Sequence, residues 1–151
     1  MKYFIAADHA GIEIKAYVKE LFEKRGHEVI DLGPNSKARV DYPDFAAKVC
    51  ENVLATKGSK GILICGSGIG MSMAANKFDG IRAALCHNEY SAKMAREHND
   101  ANVICLGERV SGYGVIEAIV KAWDKASFEG GRHEGRVQKI NALGNMGSCR
   151  A

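Results

Sequence analysis

The pattern of apolar runs in this chain predicts an α/β fold built on a parallel sheet. Runs such as Ile62-Leu63-Ile64 and Val103-Ile104-Cys105-Leu106 are apolar without alternation, as strands covered on both faces are. Between such runs, apolar residues recur at helical spacing, so strand and helix alternate along the chain. Polar or glycine-rich segments close several of the runs, where a doubly wound sheet exposes its loops. The expected architecture is a three-layer α/β/α sandwich around a Rossmann-like five-stranded parallel sheet. A length of 151 residues suits a single domain, 1–151, with a core that needs no staples.

Tyr3–Ala7 reads as the first strand, followed by a helix over Gly11–Lys24 with Ile14, Val18, Leu21 and Phe22 on one face. Gly26 stops that helix, and Val29–Leu32 supplies the second strand. Pro43 opens a helix carrying Phe45, Ala46, Val49 and Val53, which ends near Gly58. Gly61–Cys65 is the third strand and Gly68–Asn76 a short helix. Ala83–Cys86, Glu89–His98 and Val103–Leu106 continue the alternation as strand, helix and strand. Val115–Ala126 is a long amphipathic helix, and a last helix over 132–143 precedes a short loose tail, Gly147–Ala151.

Composition narrows the function classes. The net charge is +3 and the basic residues are interspersed with acids, which gives nucleic-acid binding little support. No apolar stretch approaches the roughly 18 residues of a membrane span. Asp8 arrives too early for a signal peptide, so a cytoplasmic protein is expected. The five cysteines are odd in number and form no C-x-x-C, so neither a disulfide framework nor a zinc site is indicated. Cys86 and Cys105 lie in apolar runs and read as core.

Cys65 differs because Gly66-Ser67-Gly68-Ile69-Gly70 follows it directly. A glycine loop opening a helix can turn several backbone N–H groups toward one anion, and such a field favours thiolate over thiol. Three chemistries compete for it. A dinucleotide site needs G-x-G-x-x-G, usually after the first strand, and here the third glycine comes one place early after the third strand. A cysteine phosphatase needs an arginine at the far end of its loop, and Cys65–Asn76 contains none. Proton abstraction from carbon by a thiolate, with loop N–H groups and Ser67 stabilising an enediolate, needs nothing the loop lacks.

The other motifs are each ambiguous. Asp8-His9 either caps the following helix or faces the site at the end of the first strand. His98-Asn99-Asp100 reads as a helix end and turn. Arg132 and Arg136 share a helix face, which is either solvated or a phosphate clamp, and Arg109 has the same two readings. His27, His87 and His133 are expected at the surface or behind a site.

Taken together, Asp8-His9-Ala10-Gly11, Asp41-Tyr42-Pro43, Cys65 to Gly70, Ala75-Asn76-Lys77, Gly80-Ile81-Arg82-Ala83, His98 to Asn102 and Glu129 to His133 resemble the ribose/galactose-phosphate isomerase family, in order and over nearly the whole chain. The resemblance implies a metal-free, cofactor-free aldose–ketose isomerase interconverting ribose 5-phosphate and ribulose 5-phosphate. Cys65 matches the base that moves the proton between C2 and C1, while Ser67 and the N–H groups of Gly66, Gly68 and Gly70 match the enediolate cradle. His98 matches the residue that opens the furanose ring, with Asp8 as partner in proton transfer. His9, Arg132 and Arg136 match phosphate binders, and Tyr42, Asn99 and Arg109 match other site positions. A homodimer, in some members paired into a tetramer, is implied, with the site between subunits. Many relatives carry threonine at Ser67. The alternatives left open are an isomerase for a six-carbon sugar phosphate such as allose or galactose 6-phosphate, and a non-catalytic sugar-phosphate binder.

Overall fold

The computed structural model describes residues 1–146. The expected loose tail and Cys149 lie outside the described residues. Five strands, β1 (Lys2–Ala7), β2 (Glu28–Asp31), β3 (Lys60–Cys65), β4 (Ala83–Leu85) and β5 (Val103–Gly107), pair in parallel in the order β2-β1-β3-β5-β4. The helices are α1 (Ile12–Lys24), α2 (Tyr42–Ala55), α3 (Ile69–Ala75), α4 (Glu89–Glu97), α5 (Tyr113–Lys125) and α6 (Arg132–Met146). The three-layer α/β/α architecture is the one the apolar pattern predicts.

Side-chain alternation along each strand sorts the core into two layers. Ile62, Ile64, Ile104 and Leu106 pack with Ile14, Val18 and Phe22 of α1, Ala92 and Ala95 of α4, and Ile116, Ile119 and Trp123 of α5. Leu63, Cys65, Val103 and Cys105 face the other way, onto Val49, Cys50 and Val53 of α2 and Met71 and Ala75 of α3. No described helix is long and apolar enough to cross a membrane. Helix α6 sits outside both layers. Only His133 and Val137 of its described side chains are buried, so its helicity does not arise from a buried apolar face.

Element boundaries depart from the sequence reading where local geometry overrides periodicity. Helix α3 begins at Ile69 because Gly68 holds a left-handed φ of 78° that cannot continue a helix. Strand β2 starts at Glu28 and ends at Asp31, although Leu32 still donates to the Ile5 carbonyl at 2.8 Å before the chain turns at Gly33. Strand β4 stops at Leu85, although Cys86 donates to Cys105 at 3.1 Å. Helix α4 ends at Glu97 with His98 as its cap, and α5 begins at Tyr113, earlier than its apolar face suggests. The last helix extends to Met146 rather than 143, since nothing before that point breaks it.

Candidate active site

Strand β3 delivers Cys65 to the carboxyl edge of the sheet, between the exits of β1 and β5. The last paired residues of β1 and β3 are Ala7 and Ile64. Asp8 donates its backbone N–H to the Ile64 carbonyl at 3.0 Å, so Asp8 continues β1 beside Cys65. Alternation then turns both side chains to the face that carries α2 and α3. On the other flank Cys65 pairs with Gly107. The loop after β5 is stitched to the cysteine loop, with Glu108 N–H on the Cys65 carbonyl at 2.9 Å and Arg109 N–H on the Gly66 carbonyl at 3.0 Å.

Gly68 is the pivot of the cysteine loop. Its backbone N–H donates to the Cys65 Sγ at 3.1 Å, and a Cβ there would lie 2.6 Å from Leu85 Cδ1 and 2.9 Å from the Leu106 backbone. The loop therefore turns a donor onto the sulfur in a conformation that a side chain would obstruct. Ser67 Oγ accepts from Ile69 N–H at 3.2 Å, which orients the hydroxyl and leaves its own proton to donate. At Gly70 a Cβ would meet the Tyr42 ring at 2.6 Å, so that glycine makes room for the tyrosine to lie against the loop.

A cleft of about 530 Å³ is bounded by Asp8, Tyr42, Cys65, Ser67, Gly70 and Arg109. Next to it, Asp8, His9, Arg39 and Tyr42 border a second recess of about 450 Å³. His9 Nδ1 accepts from Val40 N–H at 3.2 Å, so a neutral His9 carries its proton on Nε2 as a hydrogen-bond donor. The two recesses share Asp8 and Tyr42. Together they offer a thiol, a carboxylate, a hydroxyl, a phenol, an imidazole donor and two guanidinium groups, which suits an anionic polyol. The remaining described cysteines line neither recess. Burial pushes the Cys50 thiol up to about 12, the Cys86 thiol up to about 11, and the Cys105 thiol well above its ordinary value.

Four of the expected site residues lie elsewhere. His98 caps the end of α4, and Asn99 follows it, just before β5 begins at the amino edge of the sheet. Five residues of β5, at about 3.3 Å each, put that edge roughly 15 Å from Cys65. Arg132 and Arg136 are exposed on α6, whose Asn141 accepts from Arg82 at 3.0 Å on the same amino edge. The chain thus gathers Asp8, His9, Tyr42, Cys65, Gly66, Ser67, Gly68, Gly70 and Arg109 at one edge and His98, Asn99, Arg132 and Arg136 at the other.

The turn that carries His98 is held from below. Asp100 adopts a φ of 45°, an uncommon conformation for a residue with a side chain. Arg82 donates to its carbonyl at 3.0 and 2.8 Å, and Arg96 donates to its carboxylate at 3.1 Å and to the Ala101 carbonyl at 2.6 Å. His98 stacks on His133 with ring centroids 4.1 Å apart and planes 14° apart. His133 is buried against His98, in the supporting rather than the surface position of the two expected, and its Nε2 lies 3.5 Å from Glu129 Oε2. Among the described residues, His98, Glu129 and His133 form the one group whose donor atoms, all within 4.8 Å of one another, could hold a metal ion.

Sequence signals assign no role to Arg39, Glu108 or Arg96, nor to Arg82 beyond its place in Gly80-Ile81-Arg82-Ala83. Arg39 stands two residues before Asp41, and its basic neighbour Lys37 offered only a weak compositional signal. Glu108 accepts from Ile14 N–H at 3.2 Å, and burial raises its carboxyl above the ordinary range. Arg82 acts through tertiary contacts that no local spacing announces, whereas Arg96 meets Asp100 at the i,i+4 spacing of a helix face.

Comparison with known proteins agrees with this fold. The model of the Ribose/Galactose Isomerase family matches residues 3–140. Ribose-5-phosphate isomerase B of Escherichia coli is 46% identical over 142 residues, covering 94% of this chain and 95% of the relative. The solved structure of ribose-5-phosphate isomerase B from Clostridium thermocellum is 51% identical with a TM-score of 0.94, covering 97% of this chain and 99% of that one. The Mycoplasma genitalium ribose-5-phosphate isomerase B, solved with bound ribulose 5-phosphate, is 44% identical with a TM-score of 0.91, covering 95% and 96%.

Proposed function

The chain belongs to the Ribose/Galactose Isomerase family, and from that premise we propose that it interconverts D-ribose 5-phosphate and D-ribulose 5-phosphate. The observation that carries the chemistry is Cys65 Sγ, seated at the end of β3 beside Asp8 and receiving the Gly68 N–H at 3.1 Å. In the proposed reaction, Cys65 as thiolate takes the proton from C2 of the open-chain aldose. The electron pair passes to the C1–C2 bond and the carbonyl oxygen, giving a cis-enediolate. The loop N–H groups and the Ser67 hydroxyl stabilise its negative charge, and Asp8 moves protons between the sugar oxygens. Cys65 then returns the proton at C1. The His9 donor, Arg109 and Arg39 supply positive or donor groups on the same chain, and binding the phosphate away from the reacting carbons positions the substrate.

Ring opening by His98 and phosphate binding by Arg132 and Arg136 require those residues to reach the cysteine cleft. One chain holds the two sets at opposite edges of its sheet, so the reading includes a homodimer in which each amino edge completes the partner's carboxyl edge. The exposed apolar residues Ile140 and Leu143 on α6 supply surface for such a contact. A cytoplasmic location is part of the same reading.

Two measurements test it. NMR of ribose 5-phosphate with the protein in D2O is expected to show ketose forming with deuterium entering the sugar. Conversion without any deuterium uptake would mean that no exchangeable base carries the proton. Mixing the inactive Cys65→Ala and His98→Asn variants tests the shared site. Random exchange of subunits makes half the dimers mixed, each with one intact site, so about a quarter of wild-type activity returns. A site confined to one chain predicts no recovery.

A further inference from the structure

At the amino edge, three segments bring a histidine pair and a carboxylate together. Glu129 donates its backbone N–H to the Glu97 carbonyl at 3.0 Å, which fixes the approach to α6 against the end of α4. Gly130 and Gly131, with φ of 65° and 53°, then turn the chain so that the first turn of α6 drops His133 under His98. Glu129 Oε2 lies 3.5 Å from His133 Nε2 and 3.9 Å from His98 Nε2. The His133 ring is only 6% exposed, and its Nε2 makes no hydrogen bond. A buried polar nitrogen without a partner is costly, and here it lies beside the carboxylate, with the second imidazole stacked on its ring.

We propose that His98, Glu129 and His133 form a binding site for a borderline divalent transition ion such as Zn2+. Two imidazoles and a carboxylate are a common donor set for that ion, with an open fourth position for water. Ligands about 2.0–2.1 Å from a tetrahedral ion stand ~3.3 Å apart, and these donor atoms lie within 4.8 Å of one another, so they need to close by up to ~1.5 Å. The movable parts are on the exposed side, since the His98 and Glu129 side chains are 35% and 50% accessible. His98 tilts out of the stack to bring its lone pair onto the ion, while buried His133 stays in place. The positive charges of Arg132 and Arg136 oppose any cation held by charge alone. The site therefore selects an ion that bonds to nitrogen and rejects Mg2+ and Ca2+. Binding forms three coordinate bonds and displaces water, with no redox change. Occupancy holds His98 by its nitrogen, so the ion inhibits ring opening. That second half rests on the role proposed for His98.

Calorimetric titration of the metal-free protein with Zn2+ in excess Mg2+ is expected to show one ion per chain. His133→Phe, which keeps the stacked ring and the burial, and Glu129→Gln, at an exposed position, should each weaken binding at least tenfold. Cys65→Ser should leave it unchanged. The proposal is overturned if the wild-type protein binds no stoichiometric Zn2+. It is equally overturned if both variants bind as tightly as wild type, or if Cys65→Ser abolishes binding. Zn2+ should also inhibit conversion of ribose 5-phosphate in step with occupancy, reversibly on chelation. Tight binding at these residues without inhibition overturns the inhibitory half alone, and the D2O exchange experiment separately decides the activity on which it rests.

Discussion

The two edges of the sheet are built by different means. At the carboxyl edge, backbone does most of the work: the Gly68 N–H meets the Cys65 sulfur, and the exits of β3 and β5 are stitched by peptide hydrogen bonds. At the amino edge, side chains do it. Arg82 and Arg96 clasp the Asp100 turn, Arg82 also reaches Asn141 of α6, and His133 stacks on His98. A site held by backbone is rigid and local. One held by long side chains joins segments that are distant in the chain, and it depends on each of them being in place.

This contrast can be broken, the largest effect first. Cys65→Ala should lower kcat on the order of 10³-fold with KM and the melting temperature little changed, because it removes the proposed base and leaves the loop backbone intact. Stopped assays with a thermal melt decide this, and near-normal turnover would remove the thiol from the mechanism. Gly68→Ala should lower kcat about a hundredfold, since the donor and the sulfur separate when Leu85 and the Leu106 backbone resist the new Cβ. If Gly68→Ala keeps full activity, the carboxyl edge does not depend on that left-handed turn. Arg96→Met should cost roughly 2 kcal/mol in denaturant unfolding, through lost charge-assisted bonds to Asp100 and Ala101, while catalysis falls less than for Gly68→Ala. No loss of stability would show that the amino edge is not held by its side chains.

The smallest expected effect is a pH dependence. Burial raises the Glu108 carboxyl above 4.5 in the folded chain, so the native state binds that proton more readily than the unfolded one. Its contribution to stability is greatest at low pH and declines as pH rises from 4.5 through the raised value. Glu108→Gln should therefore gain slightly over wild type at neutral pH, and the gain should vanish below pH 4.5. Unfolding curves at several pH values measure it, and a gain that grows on acidification would contradict the buried carboxyl.

The same contrast explains what was legible in the sequence. Continuous apolar strands and glycine punctuation are local signals, so the sandwich and the cysteine loop could be read directly from residues such as Ile62 to Gly70. The start of α3 is not a local signal, because Gly68 turns where a Cβ would meet Leu85 and Leu106, residues distant in the chain. Arg82's arm of the clasp on Asp100 could not be read, since Arg82 and Asp100 are far apart in the chain, whereas the Arg96 arm has i,i+4 spacing. Asp100 itself looked like an ordinary turn residue. Which of its two expected positions His133 takes, at the surface or behind a site, is not legible for a related reason. On a helix with so few buried positions, periodicity does not mark which face turns inward.

Helix α6 has a dynamic consequence. Its described side chains bury only His133 and Val137, and it meets the body further through the Arg82–Asn141 bond and the approach of Gly144 to Asp79. Such a helix opens at a small fraction of the free energy needed to unfold the sheet, unless a second surface covers it. Amide hydrogens of α6 should then exchange faster as the protein is diluted, while those of β1, β3 and β5 keep a protection set by global unfolding. The order of this one helix becomes a gauge of assembly, readable amide by amide without following the reaction.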